Sequence, residues 1–223
     1  DRITGKISNE KYTDLINASP KDVFNKYYKD LDFIERANKI NAFNPDITIA
    51  IHYNATEFKN DIESYAPTTT NNYSVTFVPG GFTFLELTNN NQMDDFIRLA
   101  TTDNLEKSIL LSGFIVKEFE DKFQAQRLTP EINHDLWYLK KYSVYTNEPG
   151  VFSRNLYLTR AIKSPICYGE CFLQNNIKEI EKLAQRTLRV GKSLNTSPRV
   201  KDVADAYYAG IMKYFKHIEV LGD

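Results

Sequence analysis

Pro165-Ile166-Cys167-Tyr168-Gly169-Glu170-Cys171-Phe172-Leu173 is an apolar run that carries one carboxylate. A run of this kind reads as a strand buried on both faces, as in the middle of an α/β sheet. Ile47-Thr48-Ile49-Ala50-Ile51-His52-Tyr53-Asn54-Ala55 is a second such run, and it ends near a histidine. Each delivers a polar group toward its carboxyl end. In open α/β sheets the reactive crevice lies just there. His52 and Glu170 are therefore the pair to test, as a metal ligand and a general base.

Helical patterns alternate with these runs. Ser19-Pro20 followed by Asp22 is a helix start, with Ser as N-cap, Pro at the first position and an acid in the first turn. Val23, Phe24, Tyr27, Tyr28, Leu31, Ile34 and Ala37 then make a helical stripe, which Asn44-Pro45-Asp46 breaks. Helix, short turn and buried strand form the second half of a βαβ unit. Residues 56–72 read as a loop and Tyr73 to Val78 as an alternating strand. A second short strand is predicted from Phe82 to Leu87, and a short helix from Met93 to Ala100. A longer helix runs from Glu106 to Phe123, with Ile109, Leu110, Val116, Phe119 and Phe123 inward. Residues 124–150 are polar and irregular; Arg154 to Leu158 fits a short strand or a helical turn. Asn176 to Gln185 reads as a helix and Gly191 to Pro198 as a loop. In the closing helix Val200, Val203, Ala204, Tyr207, Tyr208, Ile211, Met212 and Phe215 share one face.

Composition narrows the class. The 223 residues suit one α/β domain, and 42% hydrophobic residues are enough for a core. A net charge of -1 supplies no field for nucleic acid or a membrane surface. No stretch approaches the roughly 20 apolar residues of a membrane span. Cys167 and Cys171 lie four positions apart, about 13 Å on an extended strand, too far for a disulfide unless the chain turns after Glu170. They read first as small buried hydrophobes, and with no nearby His they make no zinc-finger pattern. There is no Gly-x-Ser-x-Gly elbow, P-loop, dinucleotide glycine pattern or His-Glu-x-x-His helix. Serine hydrolase, kinase and dehydrogenase chemistry are set aside accordingly.

Each candidate has a plain structural alternative. A His within an apolar strand can be a satisfied core residue. His52 stands at the end of its run, though, and alternate residues share a face, so Asn54 can point the same way and hold it or a substrate. Glu170 is costly to bury unless paired; the alternative to a general base is an ion pair with Arg154 or Arg160. His134, beside Asp135 in a polar loop, reads as a surface residue, and His217 as a complement to the dipole at the last helix end.

The order of motifs then points to a family. Arg36-Ala37-Asn38, Pro45-Asp46 and Ile49-Ala50-Ile51-His52-Tyr53-Asn54-Ala55 resemble the stretch of zinc-dependent N-acetylmuramoyl-L-alanine amidases that carries a Ser-Ile-His-Ala-Asn-Ala strand. Asn155 to Arg160 and Ser164 to Asn175 resemble its late Pro-Ala-Val-Leu-Val-Glu strand. Val203-Ala204-Asp205-Ala206, Gly210-Ile211 and Tyr214-Phe215 are similar to its closing helix. The resemblance implies a three-layer α/β/α fold with a mostly parallel twisted sheet and a single catalytic domain over residues 1–223. It implies one zinc ion held by two His and one Glu. His52 corresponds to the second His ligand and Glu170 to the base that activates the zinc-bound water; Asn54 is the candidate substrate contact from its place on the strand alone. The implied reaction cuts the amide between N-acetylmuramic acid and L-alanine of peptidoglycan, in the periplasm or outside the cell.

Two departures shape the expectations. Residues 1–30 contain no His and only Glu10 as a Glu, so the first strands and the other ligands of the family are expected upstream of Asp1. Residues 79–104 and 124–150 exceed the family core and read as insertions that either cover the site or recognise the stem peptide, or simply pack on the surface. The alternative to an enzyme is a peptidoglycan-binding or regulatory module that has lost the metal. An unrelated hydrolase with a carboxylate pair would need an Asp or Glu beside Glu170. An activating protein partner is left open.

Overall fold

The computed structural model describes residues 18–25, 30–55, 67–132 and 136–222. Glu10, Tyr27, Tyr28 and His134 lie outside the described residues. The central sheet is built from β1 (Thr48–Asn54), β2 (Tyr73–Val78), β3 (Gln126–Arg127), β4 (Val144–Tyr145), β5 (Val151–Ser153) and β6 (Ile166–Leu173), in the order β1-β6-β2-β5-β4 with β3 beside β2. β1–β6, β2–β5 and β2–β3 run parallel; β2–β6 and β4–β5 run antiparallel. The sheet is therefore mixed and mostly parallel. β2 is buried along its whole length, with neighbours on both sides and a packed layer on each face.

Helices form the outer layers. On one face lie α4 (Asn104–Phe123) and α8 (Pro198–Gly222). Leu111, Ile115 and Phe119 recur at four-residue spacing along α4 and meet Cys167, Cys171 and Phe172 of β6 and Val203, Ala206, Tyr207 and Tyr214 of α8. Gly210 makes the contact between α4 and α8 possible: a Cβ there would stand 2.7 Å from the Cα of Ile115. On the other face α2 (Leu31–Phe43) and α6 (Tyr157–Ala161) bury Ala37, Ile162 and Ile166. α5 (Trp137–Tyr142) brings Leu139 onto Tyr73, Phe77 and Leu173. Three layers, helix, sheet and helix, result as expected.

The first helical turn, α1 (Pro20–Val23), starts as predicted: the Ser19 side chain accepts the backbone N–H of Asp22. α3 (Asn90–Thr101) and α7 (Ile177–Ala184) fall where helices were expected, α7 capped by the Asn176 side chain.

Several expectations need correcting. Phe82 to Leu87 is not a strand. Thr83 and Glu86 bond to each other there and wind the segment into a turn and a 3₁₀ helix, Glu86–Thr88. Gly191 to Pro198 is not a simple loop: Gly191, at φ 63°, turns a hairpin of β7 (Leu188–Val190) and β8 (Leu194–Thr196). Residues 124–150 hold β3, α5 and β4 rather than irregular chain alone. In α8, Val200, Tyr208 and Met212 are exposed, because the buried stripe is centred on Ala206, Tyr207 and Gly210. β1 was read as buried, yet among the described residues it is an edge strand with Ile51 55% exposed.

Candidate active site

His52 and Glu170 come together. They are register partners on the parallel strands β1 and β6, so their side chains share one face. Tyr168, two residues before Glu170, shares it too. The Tyr168 ring stacks on His52 with centroids 4.4 Å apart, and its hydroxyl is 3.3 Å from His52 Nδ1. On the opposite face of β6, Gly169 leaves room for α8: a Cβ there would lie 2.1 Å from the Tyr207 hydroxyl. Tyr207 bonds Cys171 Sγ at 3.3 Å. The glycine before Glu170 thus lets α8 press on the back of the strand.

Immediately after Glu170 the strand bulges. His52 pairs with Glu170 but Asn54 pairs with Leu173, so β6 uses one residue more than β1 over this step. The extra residue exchanges the faces. Phe172 packs with Phe119 on the α4 side, and Leu173 joins Tyr73 and Phe77 on the site side. Bulges beside active sites re-aim side chains and end regular pairing; here the pairing ends directly beyond the carboxylate.

The surroundings of Glu170 are poor in partners. Burial raises its carboxyl from the usual 4.5 to about 7, partly offset by the positive charge of Arg154. The ion pair weighed as a structural alternative is absent for Arg160, which binds Asp95 at 3.2 Å instead. Arg154 acts on Glu170 through its charge, while its guanidinium lies over Phe77, 5.1 Å from the centroid, and over Tyr138, at 5.7 Å. Partial burial, with the positive charge of Arg36 as the lesser cause, pushes the pKa of His52 down. Its ring is accordingly neutral at neutral pH, the form that binds a metal.

Asn54 leads away from His52. Its Nδ2 donates to the Tyr138 hydroxyl at 3.0 Å and its Oδ1 accepts from Ala55 N–H at 2.7 Å. The Tyr138 hydroxyl lies 3.4 Å from that of Tyr73. Asn54 is thus tied to α5 along the rim of the site. His217, exposed near the end of α8, packs against Phe114 with the rings tilted and their centroids 5.5 Å apart, away from the site. Cys167 and Cys171 are buried free thiols, their pKa values raised by burial. Arg154 was weighed in the sequence only as an ion-pair partner; its place on the aromatic shelf is new. The signal for it was weak, since β5, the strand that precedes it, is three residues long.

Zinc is the metal that the motif resemblance implies. A catalytic zinc takes three protein ligands and an open position. The described residues bring one imidazole and one carboxylate to the face, and no group of three His, Cys, Asp or Glu among them is placed to hold a metal. The described residues do not by themselves fit zinc.

The family model described as N-acetylmuramoyl-L-alanine amidase matches residues 2–213. No curated protein matches the chain. Among solved structures it is similar to the CwlD amidase from Clostridioides difficile in complex with the GerS lipoprotein, at 20% identity and a TM-score of 0.46, over 93% of this chain and 70% of that one. It is also similar to Cwp6 from Clostridium difficile, at 17% identity and a TM-score of 0.43, over 82% of this chain and 20% of that one. Both likenesses are too distant to bear on function.

Proposed function

Because the chain belongs to the N-acetylmuramoyl-L-alanine amidase family, we propose that it cuts the amide between the lactyl group of N-acetylmuramic acid and L-alanine in peptidoglycan, with Glu170 as the general base. The observation that carries this reading is the setting of Glu170. It is largely buried, beside His52, with a carboxyl that titrates near 7. A base poised near the working pH is the most effective one.

In this reading ionised Glu170 takes a proton from the attacking water as its oxygen bonds to the lactyl carbonyl carbon. The same carboxyl then gives the proton to the L-alanine nitrogen as the C–N bond breaks. A free lactyl carboxylate and a free L-alanine amine result. Tyr168 holds the plane of His52, and the apolar wall of Phe77 and Leu173 keeps the environment of Glu170 dry. His52 is proposed as one imidazole ligand of a zinc site whose other ligands are not among the described residues. Asn54 is proposed as a rim contact for substrate, reached when its bond to Tyr138 is exchanged. Since the substrate is a wall polymer, the proposed place of action is the cell envelope, outside the cytoplasm. Among the described residues no helix is long and apolar enough to cross a membrane.

Purified muropeptides test the assignment. Glu170→Gln is expected to lower kcat by about 10²- to 10⁴-fold, the usual worth of a general base. Survival of amine release in that variant would remove Glu170 from the role. Wild-type protein that binds sacculi without releasing any amine would favour the non-catalytic module. For His52, elemental analysis is the check: His52→Ala should carry less zinc per chain, and unchanged metal would end the ligand assignment.

A further inference from the structure

Arg154 is held in place, and its Nε is without a hydrogen-bond partner among the described residues. The turn Pro79-Gly80-Gly81 crosses over Ser153, whose Oγ donates to the Pro79 carbonyl at 2.5 Å. Both glycines have positive φ, 108° and 64°. A Cβ at Gly80 would stand 2.3 Å from Ser153 Oγ, and one at Gly81 would stand 2.7 Å from the Ser153 carbonyl. The next residue, Arg154, is fixed at its backbone by a 3.0 Å bond from its N–H to Val78 O. Its guanidinium rests over two rings, and Nε is buried with no hydrogen-bond partner. Stacking occupies the flat face of a guanidinium and leaves its N–H fork in the ring plane, the geometry that binds a carboxylate with two parallel bonds.

Arg154 lines a cleft. Gly81, Glu86, Lys141, Tyr142, Asn155 and Arg154 are among the residues that line a cavity of about 320 Å³, within the range of small-ligand sites; the Glu86 carboxylate is held by Thr83 and Asn155. Asn155 donates through Nδ2 to Gln92 Oε1 at 2.6 Å, while its Oδ1 is buried without a partner. Two residues of the cleft wall therefore each carry a buried polar atom without a protein partner among the described residues, one an acceptor and one a donor. Buried polar groups left open in this way call for a partner. Arg154 also lies over Phe77, whose ring adjoins Tyr168 on the face that carries Glu170, so it links the cleft to the candidate site. Beyond the scissile amide of peptidoglycan, the first group that can be an anion is the α-carboxyl of the second stem residue, which occurs free or as a carboxamide.

Resting on the amidase reading above, we propose that Arg154 binds the free α-carboxylate of the second stem residue and that the cleft between the Gly80-Gly81 turn and α5 receives the stem peptide. The enzyme then selects a carboxylate over a carboxamide at that position. Lys141, on the wall of the same cleft, adds positive charge for acidic peptide beyond it.

The test compares two substrates, N-acetylmuramoyl-L-alanyl-γ-D-glutamyl-L-lysine with a free α-carboxylate and the same compound with an α-carboxamide. Wild type is expected to favour the acid by about ten- to a hundredfold in kcat/KM, the usual worth of hydrogen bonds to a charged group. Arg154→Met should bring the ratio close to one, and Arg154→Lys should keep part of the preference. The ratio is taken within each preparation, so a lower folded fraction cancels. A wild-type ratio near one overturns the proposal. So does an Arg154→Met variant that loses activity equally on both substrates with the preference intact. Wild type that cuts neither compound overturns the amidase reading itself, and the Arg154 proposal with it.

Discussion

Glu170, proposed above as the general base, also bears on stability. Its carboxyl titrates near 7 in the fold, against 4.5 when exposed. Between those values the folded chain binds more protons than the unfolded one, so stability falls as pH rises through this window and stays lowered above 7. At about 1.4 kcal/mol per pH unit, the full cost is on the order of 3 kcal/mol. Glu170→Gln should therefore unfold at higher urea than wild type at pH 8, by about 1–3 kcal/mol, and the gain should vanish near pH 4. A variant less stable than wild type at pH 8 would show that the ionised carboxylate is well solvated or paired. Both opening residues were legible from their places at the ends of apolar runs. Their register was not, nor was the bulge after Glu170. With Cys171, Phe172 and Leu173 all apolar and both faces of β6 buried, no alternation in the sequence marks which residue faces which way.

Two contacts between elements carry much of the scaffold around the site. The first is the close approach of α4 and α8 at Gly210, where an added Cβ would meet the Ile115 backbone rather than a side chain that can swing away. Gly210→Ala should cost about 1–3 kcal/mol in urea unfolding, as overpacking does; a neutral result would mean that the helices separate freely. The second is the pair Arg199–Glu179, which ties α8 to α7. Arg199 Nε and Nη2 each donate to Glu179 at 2.8 Å, and the residues are 6% and 2% exposed. The guanidinium also lies 4.2 Å and 4.3 Å from the ring centroids of Phe123 and Phe172. Glu179→Ala leaves that charge buried and unpaired, a loss of about 3–5 kcal/mol, and thermal unfolding should show it as a fall in Tm. The helices were legible from their 3.6-residue periodicity and from caps such as Ser19 and Asn176. β3, β4, β5, β7 and β8 were not, because two or three residues carry no period of their own.

Across the whole molecule the alternation of helical and extended segments pointed to an α/β sheet, and the motif resemblance implied three layers and a mostly parallel sheet. Neither was enough to give the strand order, which sets β6 between β1 and an antiparallel β2. That order brings Phe77 of β2 and Arg154 after β5 to the same face as His52 and Glu170, so the candidate site gathers residues from distant parts of the chain. Segments 79–104 and 124–150, read as insertions, supply the glycine turn and α5 that wall the cleft at Arg154. The most direct test of the central claim is amine release from purified muropeptides across pH, wild type against Glu170→Gln. Wild-type kcat is expected to rise with pH to a plateau above about 7, set by the Glu170 carboxyl, and the folded Gln variant to lack that rise and to be slower by about 10²- to 10⁴-fold on the plateau, the gap narrowing at lower pH. A Gln variant that keeps wild-type turnover and the same pH dependence would contradict it.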